Sequence, residues 1–179
     1  MKYIESVAGM RPRPEVHQLD PFLFADRGYT DRMTLFYTGI TRLAKNILQE
    51  VVDRVNDYEP AYLFTHRHLA ELAGDARRMI ALRDYPGLCR IVASSWRGNK
   101  LIHESTSNEE IETILAETSD SYSAVKLLGA GGGGYALFLS ESVRDADALR
   151  ETLATRFDNG RSRLVEFGLN TEGLRVSVS

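Results

Sequence analysis

Lys126-Leu-Leu-Gly-Ala-Gly-Gly-Gly-Gly-Tyr-Ala-Leu-Phe-Leu139 is the stretch around which this chain arranges itself. Five of the six residues from Gly129 to Gly134 are glycine, a composition that gives up backbone entropy and adds no side-chain burial. Two reasons justify such a run: backbone dihedrals closed to other residues, or close approach of the main chain to something bound. The flanks, Val125 to Leu128 and Tyr135 to Leu139, are short and continuously apolar, and they predict buried strands. The unit therefore reads as strand, glycine loop, strand. Gly129, Gly131 and Gly134 satisfy G-x-G-x-x-G, but the dinucleotide fingerprint requires a helix after the loop, and here a strand follows. No Gly-Lys-Ser or Gly-Lys-Thr closes the run, which excludes a Walker-type loop. What remains is a series of main-chain N–H groups able to form an anion-friendly concavity. A plain hairpin turn needs only one or two glycines, so the density favours a ligand role.

The rest of the composition narrows the context. A 179-residue chain with 43% hydrophobic residues suits one domain with a sizeable core, and a formal charge of -3 gives no pull toward nucleic acid or anionic membranes. No apolar run approaches the length of a membrane helix, and no secretory signal opens the chain. The single cysteine, Cys89, sits in an apolar helical stretch and reads as a small buried hydrophobe. A cytoplasmic location is the expectation.

Residues 1 to 32 carry turn signals at Arg11-Pro-Arg-Pro14, Asp20-Pro21 and Arg27-Gly28, with only short apolar pieces between them. They are expected to be an extension or linker, the natural protein beginning further upstream. Met33 to Tyr37 predicts a strand that feeds a turn at Thr38-Gly39. A helix follows from about Arg42 to Asn56, with Thr41 as N-cap. Thr38, Gly39 and Arg42 stand where a strand hands over to a helix start, a place suited both to capping and to an anionic group. Ala61 to Ile102 is helical with breaks expected at Gly74 and near Asp84-Tyr85-Pro86-Gly87, and Trp96 reads as a core or rim aromatic. His66 and His68 are spaced i, i+2 and do not share a helix face, so no metal site is read there.

Ser107-Asn108-Glu109-Glu110 reads as a capping box with Ser107 as N-cap. Ser140 or Ser142 caps a helix reaching about Phe157, with Val143, Ala146, Leu149 and Leu153 inward. Val165 to Leu169 and Leu174 to Val178 predict a closing hairpin around Asn170-Thr-Glu-Gly173. The order implies an α+β domain: a mostly antiparallel sheet of about four strands with helices packed on one face.

The glycine stretch resembles the third motif of the GHMP kinases, the superfamily of galactokinase, homoserine kinase and mevalonate kinase. Leu35-Phe-Tyr-Thr-Gly-Ile-Thr-Arg-Leu-Ala-Lys-Asn-Ile-Leu48 resembles a strand-to-helix segment of its sugar-kinase branch, especially the L-fucokinases. Ser95-Trp96 with Lys100-Leu101, and the ending Arg161 to Phe167 and Gly173 to Ser177, resemble the same branch. The resemblance implies that residues 33–179 form a GHMP kinase C-terminal domain of ferredoxin-like type, and that residues 1–32 lead in from a missing N-terminal GHMP kinase domain. That upstream domain is expected to hold the ATP loop and the catalytic acid, so no catalytic residue and no metal ligand is assigned here. The implied phosphate- or substrate-binding residues are Lys126, Gly129, Ala130, Gly131, Gly132, Gly133 and Gly134, with Thr38, Gly39 and Arg42 on the substrate side. The family pattern tends to have two lysines near Lys100, where this chain has Gly98-Asn99-Lys100, and that departure argues against a catalytic lysine. The implied reaction makes a sugar 1-phosphate from a free sugar, L-fucose first among candidates, with ATP and Mg²⁺. This chain alone is expected to be inactive, and an exposed apolar face is expected where the upstream domain packs. A heptose 7-phosphate kinase is the competitor within the family, and a ferredoxin-like small-molecule-binding or regulatory module is the competitor outside it.

Overall fold

The computed structural model describes residues 2–6, 13–40, 44–129 and 131–168. Within the expected N-terminal linker, β1 (Lys2–Ser6) and β2 (Pro14–Gln18) pair as an antiparallel ribbon. Two single-turn helices follow, α1 (Phe22–Ala25) and α2 (Arg27–Thr30). Leu23 is fully buried, and Arg77 lies over the Tyr3 ring, so this segment contributes to the packing rather than merely leading in. Its strands were not visible in the sequence because their side chains are nearly all exposed and leave no alternating apolar pattern.

β3 (Met33–Tyr37), β4 (Ala124–Leu127), β5 (Tyr135–Leu139) and β6 (Arg163–Val165) form one sheet in the order β4-β5-β3-β6. Every neighbouring pair is antiparallel. Between β3 and β4 the chain builds α3 (Ala44–Asn56), α4 (Pro60–Leu82), α5 (Tyr85–Ile102) and α6 (Glu109–Glu117). After β5 comes α7 (Val143–Arg156). None of the described helices is long and apolar enough to cross a membrane.

Alternation along the strands divides the interior in two. Phe36, Val125, Leu127, Ala136 and Phe138 point to one face, where Ile111, Ile114 and Leu115 of α6 and Leu149 and Leu153 of α7 close over them. On the other face Met33, Ala124 and Leu139, aligned across the sheet, pack with Leu23, Tyr85, Leu88 and Cys89. The helical pair α6 and α7 thus matches the expected cover on one face, while α1 and α5 add a second core beneath one end of the opposite face.

Local chemistry accounts for the boundaries. Pro60 opens α4, which runs unbroken past Gly74 and stops at Arg83 in a left-handed conformation. The side chain of Asp84 then accepts from Gly87 N at 2.8 Å to start α5. The expected break at Gly74 is absent because one glycine costs a helix only about 1 kcal/mol, which α4 recovers by packing on α5. The N-cap of α6 is Asn108, not Ser107: Asn108 accepts from Ile111 N at 3.0 Å, whereas Ser107 Oγ donates to Glu112 at 2.6 Å. Ser142 caps α7, and Val143 at its start is exposed rather than inward. Of the closing hairpin expected at the C-terminus, the first strand departs from the reading: β6 starts earlier, at Arg163, and ends at Val165, and residues 166–168 are not in a strand, while the turn and second strand lie outside the described residues.

Candidate functional site

The glycine loop joins β4 to β5 at the end of the sheet where β3 runs out at Tyr37, and it is fastened there by main-chain bonds to two other segments. Thr38 N donates to Gly134 O at 2.8 Å, and Gly134 N donates back to Ile40 O at 2.9 Å. Thr38 is buried, and its hydroxyl donates to Gly134 O at 3.0 Å while accepting from Ile40 N at 3.3 Å. On the other side Gly132 N donates to Thr106 O at 2.8 Å, and the Asn108 amide donates to Gly132 O at 3.2 Å.

These contacts leave no room for side chains at two positions. A Cβ on Gly131 would stand 2.9 Å from the Thr106 main chain, and one on Gly133 would stand 2.4 Å from Ile40 O. Glycine is therefore required by close main-chain approach, and at Gly131 also by its φ of 91°.

The same bonds sort the N–H groups of the loop. Those of Gly132 and Gly134 are committed to protein carbonyls. Those of Gly129, Gly131 and Gly133 find no acceptor among the described residues. A loop with alternate N–H groups fixed internally and the others open is a rigid donor array suited to phosphate or carboxylate oxygens.

The supporting layer reaches α3. Thr106 N donates to His103 O at 3.0 Å, and Thr106 Oγ1 donates to Asn99 O at 3.1 Å. The buried His103 accepts from Ser105 N through Nδ1 at 3.0 Å, which places its proton on Nε2, facing Glu50 Oε2 at 2.6 Å. Glu50 belongs to α3, so this pair ties α3 to the turn that holds the loop.

Lys126 lies on β4 beside the loop, but its ammonium is turned to α5. Nζ donates to Ser95 Oγ at 2.9 Å, and the Asn99 amide, oriented to satisfy its own hydrogen bonds, accepts from it at 2.7 Å. Burial holds its pKa below that of an ordinary lysine. Lys100 is spent on Glu112 at 3.2 Å and on the Trp96 face. Gly39 has φ at 73°, a Cβ on it would stand 2.9 Å from Ser162 N, and it lines a cavity of about 490 Å³ with Thr38, Ile40, Glu109, Glu110 and Arg161. Arg42 and Ala130 lie outside the described residues.

The structure thus brings Thr38 to the glycine loop as a partner that shapes it, whereas Gly39 faces Arg161 and Ser162 instead. Sequence reasoning missed Thr106 and Ile40, which act through main-chain carbonyls and carry no side-chain signal. The sequence reading placed the cap at Ser107 and so found Asn108 neither as the cap of α6 nor as a loop contact. No three His, Cys, Asp or Glu side chains converge as metal ligands among the described residues.

No family model matches the chain. Over 179 residues, its full length, it is 32% identical to an L-fucokinase/L-fucose-1-P guanylyltransferase of Bacteroides fragilis. It is 28% identical over 86% of its length to a bifunctional fucokinase/GDP-fucose pyrophosphorylase of Arabidopsis thaliana. It is 30% identical over 80% of its length to a D-glycero-alpha-D-manno-heptose 7-phosphate kinase of Campylobacter jejuni. The chain spans 19%, 14% and 41% of those relatives respectively. In fold it is similar to mevalonate kinase of L. major, solved with R-mevalonate, with a TM-score of 0.62 at 20% identity over 70% of this chain and 38% of that one.

Proposed function

From this kinship with kinases of the GHMP family, which covers the full length of the chain in one relative and 80% of it in another, we propose that the chain serves as the C-terminal domain of an ATP-dependent sugar kinase of fucokinase type. The observation that carries the proposal is the glycine loop itself, anchored through Gly132 and Gly134 while the N–H groups of Gly129, Gly131 and Gly133 meet no acceptor among the described residues. In a phosphoryl-transfer enzyme catalysis is positioning plus charge stabilisation around the phosphates. Fixed N–H donors fit the oxygens of a transferring phosphoryl group or of the sugar that accepts it. ATP supplies that group when bound. The residues of this chain hold it in place, exclude water and prevent the loop from relaxing.

The division of labour follows from the chemistry present. The sequence holds no Walker-type loop, and no catalytic acid is assigned to it. The nucleotide grip, the Mg²⁺ ligands and the proton acceptor for the sugar hydroxyl are proposed to come from an N-terminal GHMP kinase domain. In this reading Lys126 braces β4 against α5, and Thr38 and Gly39 shape the substrate side.

The test uses the whole kinase that contains this chain, assayed for ATP-dependent phosphorylation of L-fucose and a panel of hexoses and heptose 7-phosphate. L-fucose turnover that falls by at least a hundredfold on Gly131→Val, in a variant that still binds nucleotide, supports the reading. Preference for the heptose substrate would move the assignment to the branch of the Campylobacter jejuni relative. The purified 179-residue chain is expected to show no turnover, and measured turnover by it would refute the division of labour.

A further inference from the structure

At the opposite end of the sheet, roughly 15 Å along the strands from the glycine loop, the structure holds a cavity of about 460 Å³ that the kinase reading does not use. Arg32, immediately before β3, and Arg90 and Arg97 of α5 all line it. Glu141 is the one carboxylate residue among its lining groups, and Ser94, Ser123 and the Tyr85 and Cys89 side chains complete the polar and apolar walls.

Arg32 is held in place from several directions. Its guanidinium stacks on Tyr85 at 4.0 Å and on Tyr29 at 5.0 Å, Nε donates to Gly28 O at 2.8 Å, and one terminal nitrogen donates to Glu141 O at 3.3 Å. Its own carbonyl accepts from Ser140 N at 2.9 Å and from the Tyr85 hydroxyl at 3.3 Å. All its partners are carbonyls and rings, so its charge is not neutralised by any carboxylate among the described residues. Arg97 likewise has only Ser94 Oγ, at 2.8 Å, among the described residues. Arg90 approaches Asp84 at 3.9 Å, a distance at which an exposed pair contributes little.

We propose that this cavity is a binding site for a small organic molecule bearing a phosphate group. Guanidinium groups present planar forks of donors that match phosphate oxygens two at a time, and a fixed, cation–π-stacked arginine loses little freedom on binding. Three of them around one carboxylate give the cavity a cationic excess, and the volume falls within the range of small-molecule pockets. Pro86, Ala93 and the Tyr85 ring form an apolar wall for the body of the ligand. The proposal stands on this end of the molecule alone and does not depend on what the glycine loop binds.

The probes are phenyl phosphate, inorganic phosphate and benzoate, titrated into the ¹⁵N-labelled 179-residue chain and followed by amide chemical shifts. Saturable shifts at Ser94, Arg97 and Ser123 are expected, with phenyl phosphate binding more tightly than inorganic phosphate and benzoate more weakly than either. Arg97→Gln, an exposed substitution that leaves the spectrum folded, is expected to weaken phenyl phosphate about tenfold or more, as loss of a charge-assisted hydrogen bond implies. Arg90→Gln provides a second exposed variant with a smaller expected loss. Shifts that do not saturate, shifts centred on Gly129 to Gly133 instead, or unchanged affinity in both variants would overturn the site.

Discussion

Two kinds of glycine stand side by side in the loop, and substitution separates them. At Gly133 a methyl group would meet Ile40 O at 2.4 Å, and at Gly131 the Thr106 main chain at 2.9 Å; neither neighbour is a flexible side chain that can move aside. Gly129 has open space around its Cβ position but a φ of 91°. Gly133→Ala is therefore expected to lower stability by on the order of 2 kcal/mol or more, through overpacking. Gly129→Ala is expected to cost about 1 kcal/mol, through its dihedral alone. Urea denaturation of the two variants checks the order, and equal losses would mean that the loop relaxes around a side chain. Lys126 makes a separate prediction. Burial lowers its pKa from the 10.5 of an unperturbed lysine. Between its folded value and 10.5 the unfolded chain therefore holds a proton that the folded chain has released, so its contribution to stability rises with pH. At neutral pH the burial penalty is present in full. Lys126→Met should remove that rise. Cys89 works in the opposite sense: burial pushes its thiol up to about 11 from 9.0, and stability falls as pH climbs through that interval. Comparing wild type with Lys126→Met at about pH 7 and about pH 10.5 cancels Cys89 and the buried tyrosines. A difference between the two proteins that stays constant with pH would show that the lysine is not desolvated.

At the scale of elements, Asn108 joins two structures that the sequence presents separately. Its side-chain oxygen caps α6 through Ile111 N, and its amide nitrogen donates to Gly132 O. Asn108→Ala removes both and is expected to cost about 1 to 2 kcal/mol, with Asn108→Asp preserving the cap but not the loop bond. Thermal unfolding of Asn108→Ala, Asn108→Asp and Ser107→Ala resolves the two contributions. A loss at Ser107 as large as that at Asn108 would restore the capping box read from the sequence. That reading put the cap one residue early because Ser and Asn are both strong caps and only the backbone decides between them. The strands β3 and β5 and the helix α7 were legible within a residue because β3 and β5 are short apolar runs bounded by turn residues and the apolar residues of α7 follow a helical period after a serine cap. β1 and β2 were not legible, since their exposed side chains carry no such period.

For the whole molecule, the sequence pointed to the loop as the candidate site because a tight turn alone does not call for glycine at this density. It could not say which N–H groups are open, since that depends on carbonyls contributed by residues 40 and 106, far away in the chain. Nor did it single out the arginine cavity, whose three cations come from positions spread from Arg32 to Arg97 and meet only when α5 folds against β3. The remaining feature at this scale is apolar surface beside the loop: Leu128 is 44% exposed and Tyr135 40%, next to Tyr37 across the strand pair. If this chain works against a second kinase domain, this surface is where burial would be gained. Leu128→Ser should then change the stability of the 179-residue chain by less than about 0.5 kcal/mol, as expected of an exposed site. In the whole kinase the same change should lower the melting temperature and raise the KM for sugar, because the loop would lose the partner that closes over it. Equal and negligible effects in both proteins would place the domain contact elsewhere. A large loss in the isolated chain would instead mean that Leu128 packs within this domain, and that the surface beside the glycine loop is not an interface.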